Sequence, residues 1–427
     1  MIIDLSNKKS LQISKSKYDI CIVGSGPAGL TIANELANSN LRVCVLESGK
    51  KEKAKYADSL KKVASTGIQI KQDSRERIFG GTSHTWSGLS SIFNKDNLEE
   101  KDYLPNSGWP ISYEELLNYY DLASKRYDFP DLNLFLNESE NLTDLDIDKL
   151  KAGLNFQWED IKEKLFIANN NPQRFAKTFS GIFKQDNVDL YLNATLNNII
   201  ENDKEIDSIT VENNKNEQFK FIADKFILAT GGIENARILL HNNIGNKEDQ
   251  VGRYLMNHPK INYGTIYLNN PVKDAPYYFG ALYGGWSYAG FELSKEYREK
   301  NNLLNSYIRF EPVFPWSGNL GVESFVTIVK KTNKLLSYFL NRRKIKAIFR
   351  KIKIISIKDY SEIKDYPEIE KKGKIFTNYL KLILNITIHL PSVLIYIFYK
   401  LVPNTSPKIH KINLRQFMEM APNKENK

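Results

Sequence analysis

The chain has 427 residues, of which 41% are hydrophobic and 26% are charged. This balance is typical of a globular protein that buries at least one full core, and it excludes disorder as the general state. The excess of 60 Lys and Arg over 50 Asp and Glu lies in residues 330–358, which hold eleven basic residues and no acidic one. Because this positive charge is local, it does not indicate a protein that binds nucleic acid.

The N-terminal segment, residues 1–17, is polar and lacks the apolar stretch of a secretory signal. The sequence therefore predicts a cytoplasmic protein. Cys21 and Cys44 both lie in apolar runs. We expect them to be buried, unpaired thiols rather than part of a disulfide framework.

The first predicted strand, residues 18–23, runs directly into Gly24-x-Gly26-x-x-Gly29 and then into an apolar helix pattern. In this arrangement Gly24 permits the tight turn, Gly26 lets the backbone approach a pyrophosphate, and Gly29 lets the helix pack closely on the strand. The N-terminus of the helix then faces the phosphates. The motif predicts a dinucleotide site, but by itself it does not distinguish FAD from NAD.

A second predicted strand, residues 41–46, ends in Glu47, whose carboxylate is placed to accept hydrogen bonds from a ribose diol. The loop over residues 77–88 is rich in glycine and hydroxyl side chains, which can contact a diphosphate or a flavin ring if the loop is more than a simple turn. Its candidate cofactor-binding residues are Gly80, Gly81, Thr82 and Ser83.

A third segment, residues 225–240, is another buried strand that ends in glycines and turns into a helix, with Thr230 and Gly231 at the turn. Two such crossings about two hundred residues apart predict one nucleotide site assembled from distant parts of the chain. No cluster of residues with metal-ligand spacing accompanies them, and we predict no metal.

The pattern of apolar and polar residues changes beyond Pro259. Residues 277–288 and 307–314 alternate aromatic and polar side chains, which predicts an antiparallel sheet. Its aromatic residues either line a sugar or alcohol pocket or pack the sheet, and packing explains most of them.

Residues 330–358 place apolar side chains between basic ones at near-helical spacing, which predicts a cationic amphipathic helix. Residues 382–399 follow, with eighteen positions and no formal charge. Three interpretations stay open for this apolar run: a membrane span, docking of residues 330–399 on an anionic membrane surface at the inner face of the membrane, or a buried helix pair.

Five stretches together resemble the glucose-methanol-choline (GMC) family of FAD-dependent oxidoreductases over roughly Tyr18 to Pro259. They are the N-terminal glycine motif, Gly80 to Gly88, Ser107 to Tyr120, Ala229 to Leu240, and Val251 to Pro259. The stretch Trp109-Pro-Ile-Ser-Tyr113 is similar to the branch that holds pyranose oxidases and sugar or gluconate dehydrogenases.

The resemblance implies an α/β fold, α+β overall, in which a Rossmann-type FAD-binding domain of discontinuous segments accompanies an antiparallel-sheet substrate domain. It also implies FAD with its pyrophosphate over the N-terminal glycines, its ribose on Glu47, and backbone contact from Leu196 to adenine. In several relatives a His of the glycine loop is bonded to the flavin. Thr85 stands at that offset here, with His84 one place earlier, so we expect non-covalent FAD.

Catalysis in the family belongs to a late His in a stretch that resembles His-x-x-Gly-Thr, which removes a hydroxyl proton while hydride passes to flavin N5. None of the five histidines in this sequence has those neighbours. We therefore expect no catalytic residue in this chain, with the family's His beyond Lys427 and the chain truncated before that lobe.

The implied organisation has six parts. They are 17–100 (first FAD-binding part), 101–180 (substrate-side excursion), 181–260 (second FAD-binding part), 261–329 (sheet of the substrate domain), 330–402 (basic and apolar helical segment) and 403–427 (start of the truncated lobe).

The sequence is compatible with two function classes. The first is a FAD-dependent oxidoreductase acting on the CH–OH group of a sugar-like or other alcohol. The second is a non-catalytic, flavin-binding or membrane-associated remnant with a structural or partner role. The electron acceptor is not identified by any residue pattern.

Overall fold

The computed structural model describes residues 1–7, 17–67, 70–71, 74–136, 147–154, 156, 159–169, 172–202, 205–280, 287–339, 375–402 and 405–427. The chain divides into two compact units. The first unit comprises Met1–Gly88, Asn171–Asn257 and Ala421–Lys427, and the second unit comprises Leu89–Asn170 and His258–Met420.

Strands in the described residues are β1 (Ile2–Asp4), β2 (Tyr18–Val23), β3 (Val43–Glu47), β4 (Leu89–Ser90), β5 (Ile161–Ala168), β6 (Val188–Leu192), β7 (Thr195–Asn202), β8 (Glu205–Glu212), β9 (Gln218–Phe221), β10 (Ala223–Leu228), β11 (Lys260–Val272), β12 (Tyr288–Leu293), β13 (Ser306–Pro312) and β14 (Ile409–Met418). The α-helices are α1 (Pro27–Leu36), α2 (Lys55–Ser59), α3 (Tyr113–Tyr127), α4 (Asn133–Leu136), α5 (Ile147–Lys151), α6 (Phe175–Phe179), α7 (Gly232–His241), α8 (Pro276–Phe279), α9 (Lys295–Lys300), α10 (Leu320–Phe339), α11 (Ile375–Ile388) and α12 (Leu390–Leu401).

A five-stranded parallel sheet forms the centre of the first unit, in the order β1-β6-β3-β2-β10. Every residue of β3 and β6 is buried, as expected for parallel strands covered on both faces, which read as continuous apolar runs. Helices α1 and α7 follow the adjacent strands β2 and β10. The predicted α/β fold, with a nucleotide-binding domain assembled from separated segments, is confirmed.

The sheet begins earlier in the chain than the sequence analysis expected. Residues 1–17 gave no strand pattern, yet Ile2, Ile3 and Asp4 pair in parallel with Leu190, Tyr191 and Leu192 of β6. A three-residue edge strand is too short to show a period of two, which explains why it escaped detection.

The two cysteines are neighbours in this sheet, because Cys21 of β2 pairs with Cys44 of β3. Both are fully buried and free. Burial raises the pKa of the Cys44 thiol, so the thiol stays protonated and behaves as a small apolar residue. The expectation of buried, unpaired thiols is confirmed.

The second unit contains a six-stranded antiparallel sheet in the order β11-β14-β13-β12-β5-β4. Aromatic rings fill one side of it, and Phe156, Tyr278, Phe291 and Phe310 contact one another with centroids 4.7 to 5.8 Å apart. These rings therefore pack against one another in the core of the second unit. Residues 281–286, which were part of the aromatic pattern, lie outside the described residues.

Two strands of this sheet come from segments that the sequence analysis had assigned elsewhere. Strand β5 lies in the expected excursion 101–180, and β14 lies in 403–427, the expected start of another lobe. The first half of β5 alternates Lys and Glu, and β14 carries His410, Lys411 and Arg415. Charged side chains at these positions hid the apolar alternation by which strands are recognised.

Helices α10, α11 and α12 surround a small apolar cluster of Trp316, Val322, Val393 and Tyr396, each 2% exposed. In the described part of the chain no single helix is long and apolar enough to cross a membrane. Residues 379–388 of α11 and helix α12 meet the length and composition requirement only as a pair, and the pair is bent by 86°. The predicted cationic helix is helical through Phe339 in α10, and its remainder lies outside the described residues.

Candidate cofactor site

The turn from β2 to α1 is the most crowded backbone in the first unit. Gly24 has a φ of +106°, and a Cβ on it would lie 2.5 Å from the carbonyl oxygen of Ala229. A Cβ on Gly29 would lie 2.0 Å from the carbonyl oxygen of Gly24. Only glycine satisfies both positions, and the result is that α1 packs directly against its own turn.

Gly26 differs from its two neighbours in the motif. It is the residue that precedes α1, its φ is −73°, and a Cβ built on it meets nothing within 4 Å. The space that it faces is a cavity of about 480 Å³ in the first unit. The free N–H groups at the start of α1 lie at this cavity, where the helix dipole favours an anion.

Eight of the sequence-predicted cofactor residues line this one cavity, although they come from five separate segments. They are Gly24, Gly26, Glu47, Gly81, Thr82, Leu196, Thr230 and Gly231. The remaining three, Gly29, Gly80 and Ser83, are not part of its wall. Cβ atoms built on Gly231 and Gly232 meet nothing within 4 Å, so the start of α7 presents bare backbone to a ligand.

Glu47 is held rigidly in the cavity wall, where it is 5% exposed. Its carboxylate accepts short hydrogen bonds from the Ser25 hydroxyl at 2.5 Å and from the Gly49 N–H at 2.8 Å. It also accepts longer ones from the Ser25 N–H at 3.3 Å and from the Ser48 hydroxyl at 3.4 Å. These four hydrogen bonds fix the orientation of Glu47 at the cavity.

Gly80 and Ser83 do not line the cavity but stabilise the conformation of the glycine loop. The Ser83 hydroxyl donates to the Gly80 carbonyl at 2.6 Å and accepts from the Phe175 N–H at 3.1 Å. The Arg174 guanidinium donates to the carbonyls of Ser83 and Trp86. These contacts hold Gly81 and Thr82 at the cavity.

His84 contacts the loop backbone. Its Nε2 lies 2.8 Å from the carbonyl oxygen of Phe79. The neighbouring Thr85 is exposed, and its hydroxyl donates to the Thr82 carbonyl at 3.1 Å. This contact gives His84 a structural role in the loop.

A charged cluster on the cavity wall was missed by the sequence analysis. Glu234, in the first turn of α7, accepts from Arg77 at 2.7 Å and from Arg237 at 2.8 Å, and Arg75 lies 3.7 Å away. Burial alone would raise the pKa of Glu234, but the arginines hold it below its ordinary value. The sequence signal for this cluster was the pair Arg75 and Arg77 before the glycine loop. Such a pair has the same pattern as two solvated arginines on a protein surface.

Two buried polar atoms on the wall have no hydrogen-bond partner within the described residues, the Thr195 hydroxyl and Nε of Arg75. Buried polar groups are rarely left unsatisfied, so both point to a ligand that completes them. The wall thus offers backbone N–H groups, a guanidinium, a hydroxyl and a carboxylate. This set fits the anionic diphosphate, the adenine and the ribose of a dinucleotide.

The model of the FAD dependent oxidoreductase (DAO) family matches residues 19–284, which is more than half of the chain. The chain belongs to this family, and FAD is its cofactor.

Two solved structures are similar to this chain at low identity. One is pyridoxine 4-oxidase from Mesorbium loti, with 17% identity, a TM-score of 0.41, and a match that covers 60% of each chain. The other is a fungal aryl-alcohol oxidase, with 15% identity, a TM-score of 0.39, and a match that covers 60% of this chain and 55% of that one. The match thus spans somewhat over half the length of each structure.

The three glycines of the motif allow a test of whether the open space at Gly26 belongs to the cofactor. We expect Gly26→Ala to fold normally and to lower FAD affinity about tenfold or more, because the added methyl projects into the space that the cofactor needs. We expect Gly29→Ala to destabilise the protein by about 1–3 kcal/mol, because its methyl overlaps backbone. Urea unfolding of the apoprotein and titration with FAD measure the two effects separately.

Gly181→Ala is the matched control, since its Cβ meets nothing within 4 Å and it lies outside the cavity wall. It should change neither quantity. Equal loss of stability in the Gly26 and Gly29 variants would contradict the assignment of the open space to the cofactor.

The arginine cluster generates a second test. Glu234→Gln should lower the free energy of unfolding at pH 7 by about 1–3 kcal/mol, because it leaves partly buried guanidinium groups unpaired. Since the pKa of Glu234 is lowered from 4.5 in the folded state, its stabilisation is present above pH 4.5 and is lost as the pH falls through the lowered value.

The difference between wild type and Glu234→Gln in urea unfolding should therefore shrink as the pH is lowered below 4.5. Glu114→Gln is the control, because Glu114 is exposed and its ion pair with Lys95 lies at the surface, where water screens the charges and the pair contributes little to stability. A difference for Glu234→Gln that does not change with pH would show that the carboxylate charge is not what stabilises the cluster.

Proposed function

We propose that this FAD-dependent oxidoreductase acts on the CH–OH group of a sugar-like or other alcohol, as a protein of the GMC type. The observation that carries the proposal is that three of the five GMC-like stretches, far apart in sequence, line the same cavity. These are the glycine motif of β2 and α1, the loop around Gly81, and the turn into α7. FAD supplies the hydride-accepting chemistry when bound.

The residues of this chain bind and orient the cofactor. Glu47 binds the ribose, and the first turns of α1 and α7 bind the diphosphate. Thr195 and Arg75 add polar atoms to the wall of the same cavity. Hydrogen bonds hold Glu47 and Thr230 in the wall. Rigid placement lowers the entropic cost of binding a flexible dinucleotide.

The second unit is the substrate domain in this proposal. Its strand β11 carries Tyr263 and Tyr267, each 68% exposed. Aromatic rings with a polar edge suit hydroxyl-bearing donors, because the ring packs on carbon and the phenol hydrogen-bonds.

Neither His84 nor His241 lines the cofactor cavity. His84 is engaged with the Phe79 carbonyl, and His241 ends α7. A positioned general base contributes about 10²–10⁴-fold to rate, and neither of these two histidines supplies it in this proposal.

We expect the flavin to be bound without a covalent link, because Thr85 occupies the offset of the linking His and His84 is turned to the loop backbone. Acid precipitation should leave all flavin absorbance in the supernatant. Fluorescence that stays with the precipitated polypeptide would contradict this, and loss of that fluorescence in His84→Ala would identify the linked residue.

Anaerobic bleaching of bound FAD by a panel of sugars, primary alcohols and amines tests the substrate class. We expect alcohols or sugars, and not amines, to bleach the flavin, with rapid turnover of a dye acceptor only in a polypeptide that also carries a His-x-x-Gly-Thr stretch. Rapid turnover by the 427-residue chain itself would retain the substrate class and place the base among its own residues. FAD that no alcohol or sugar bleaches in either polypeptide would overturn the proposal in favour of a non-catalytic flavin-binding protein.

A further inference from the structure

Helices α11 and α12 are apolar on two sides. Their inner side packs on the cluster described above, where Val393 and Tyr396 contact Trp316. Lys400 also lies on that side, with its Nζ 5.5 Å from the centre of the Tyr396 ring. The inner side therefore has its partners within the second unit.

The outer side exposes ten large apolar residues within 23 positions, each 38% to 64% exposed. They are Leu380, Ile383, Leu384, Ile388, Leu390, Leu394, Ile395, Phe398, Leu401 and Val402. Leu390, Leu394, Phe398 and Leu401 follow helical spacing and so form one stripe. Single exposed apolar side chains are common on proteins, whereas ten of them on one helix pair indicate an interaction site. We call these ten residues the outer face.

The charged residues of the helix pair have one sign. Residues 375–402 contain Lys381 and Lys400 and no acidic residue. Lys381 is exposed beside Leu380 of the outer face, whereas Lys400 lies on the inner side. An exposed lysine beside an apolar surface matches an anionic lipid layer, in which phosphate charges lie above the acyl chains.

The shape of the helix pair favours a shallow position. With 14 and 12 residues, the two helices are about 21 and 18 Å long at 1.5 Å per residue. Each is shorter than the bilayer core of about 30 Å. The break at His389, followed by Pro391, bends the pair by 86°. Such a pair lies along an interface more easily than it crosses one.

From these observations, the geometry points to the outer face as a docking surface for an anionic phospholipid bilayer. A two-fold dimer through the same face is the competing occupant. It would bring the lysines of two copies together with no acidic residue from 375–402 to pair them, which is unfavourable. This inference concerns the second unit and is independent of the substrate proposed above.

Flotation of the full chain, loaded with FAD, with lipid vesicles tests the proposal. We expect the protein to float with vesicles of phosphatidylcholine and phosphatidylglycerol, and to float poorly with phosphatidylcholine alone or at high salt, because screening weakens the charge attraction. Phe398→Trp, at a position 51% exposed, reports insertion as a difference from the wild type, whose five tryptophans give the background emission. The additional fluorescence should shift to the blue and be quenched by lipids brominated on their acyl chains.

Variants separate the apolar and the charged contributions. The double change Leu384→Asp and Leu394→Asp should reduce vesicle affinity by tenfold or more, because it removes two large side chains from the apolar contact. Lys381→Glu should reduce affinity for anionic vesicles about thirtyfold, since it changes two charge units near the surface, and should leave binding to neutral vesicles unchanged.

Tyr119→Asp is the matched control, because Tyr119 is 60% exposed in the same unit and lies on α3. It should bind vesicles like the wild type. FAD content and the thermal unfolding curve of every variant must match the wild type, so that a loss of binding is not a loss of fold.

Two outcomes would overturn the proposal. The first is failure to float with anionic vesicles while the chain sediments as a dimer that the double variant converts to monomer, because a second copy then covers the outer face. The second is vesicle binding that the double variant and Lys381→Glu both leave intact, because another surface would then bind the lipid.

Discussion

The contact between the turn of β2 and the end of β10 is the constraint on which the first unit depends. Gly24 approaches Ala229 so closely that no side chain fits, and Gly29 lets α1 lie on the same turn. The two segments are about two hundred residues apart in sequence. Their approach aligns the starts of α1 and α7 beside one cavity and so brings glycine backbone, a carboxylate and guanidinium groups to one dinucleotide. Without this contact the separate motifs would not form a site.

Much of this arrangement could be predicted from sequence, because glycine requirements and buried parallel strands leave local signatures. The strand, glycine and helix order at Gly24 and again at Gly231 places both turns at one sheet edge. Glu47 was recognisable because it ends a strand. In each case the backbone geometry requires that residue type, and the strand and helix patterns beside it in the sequence indicate that geometry.

Other features depend on partners that are distant in sequence and leave no local pattern. Arg75, Arg77 and Glu234 form a cluster only after the chain has folded, and each alone looks like a solvated charge. Strands β5 and β14 are stabilised by the long antiparallel pairing of the sheet, so charged residues are tolerated in them. The three-residue β1 takes its stability from β6. These elements require knowledge of the sheet before they can be recognised.

The separation of the two halves of the cofactor site also has a consequence for synthesis on the ribosome. The glycine turn emerges first, but its partner around Ala229 follows about two hundred residues later, which at 5–20 residues per second is roughly 10–40 s. During this time β2 and β3 lack the neighbours β6 and β10, and their apolar edges are open to other chains. Because the cavity wall includes residues up to Ile238, FAD can be bound in it only after the chain has been synthesised beyond that point.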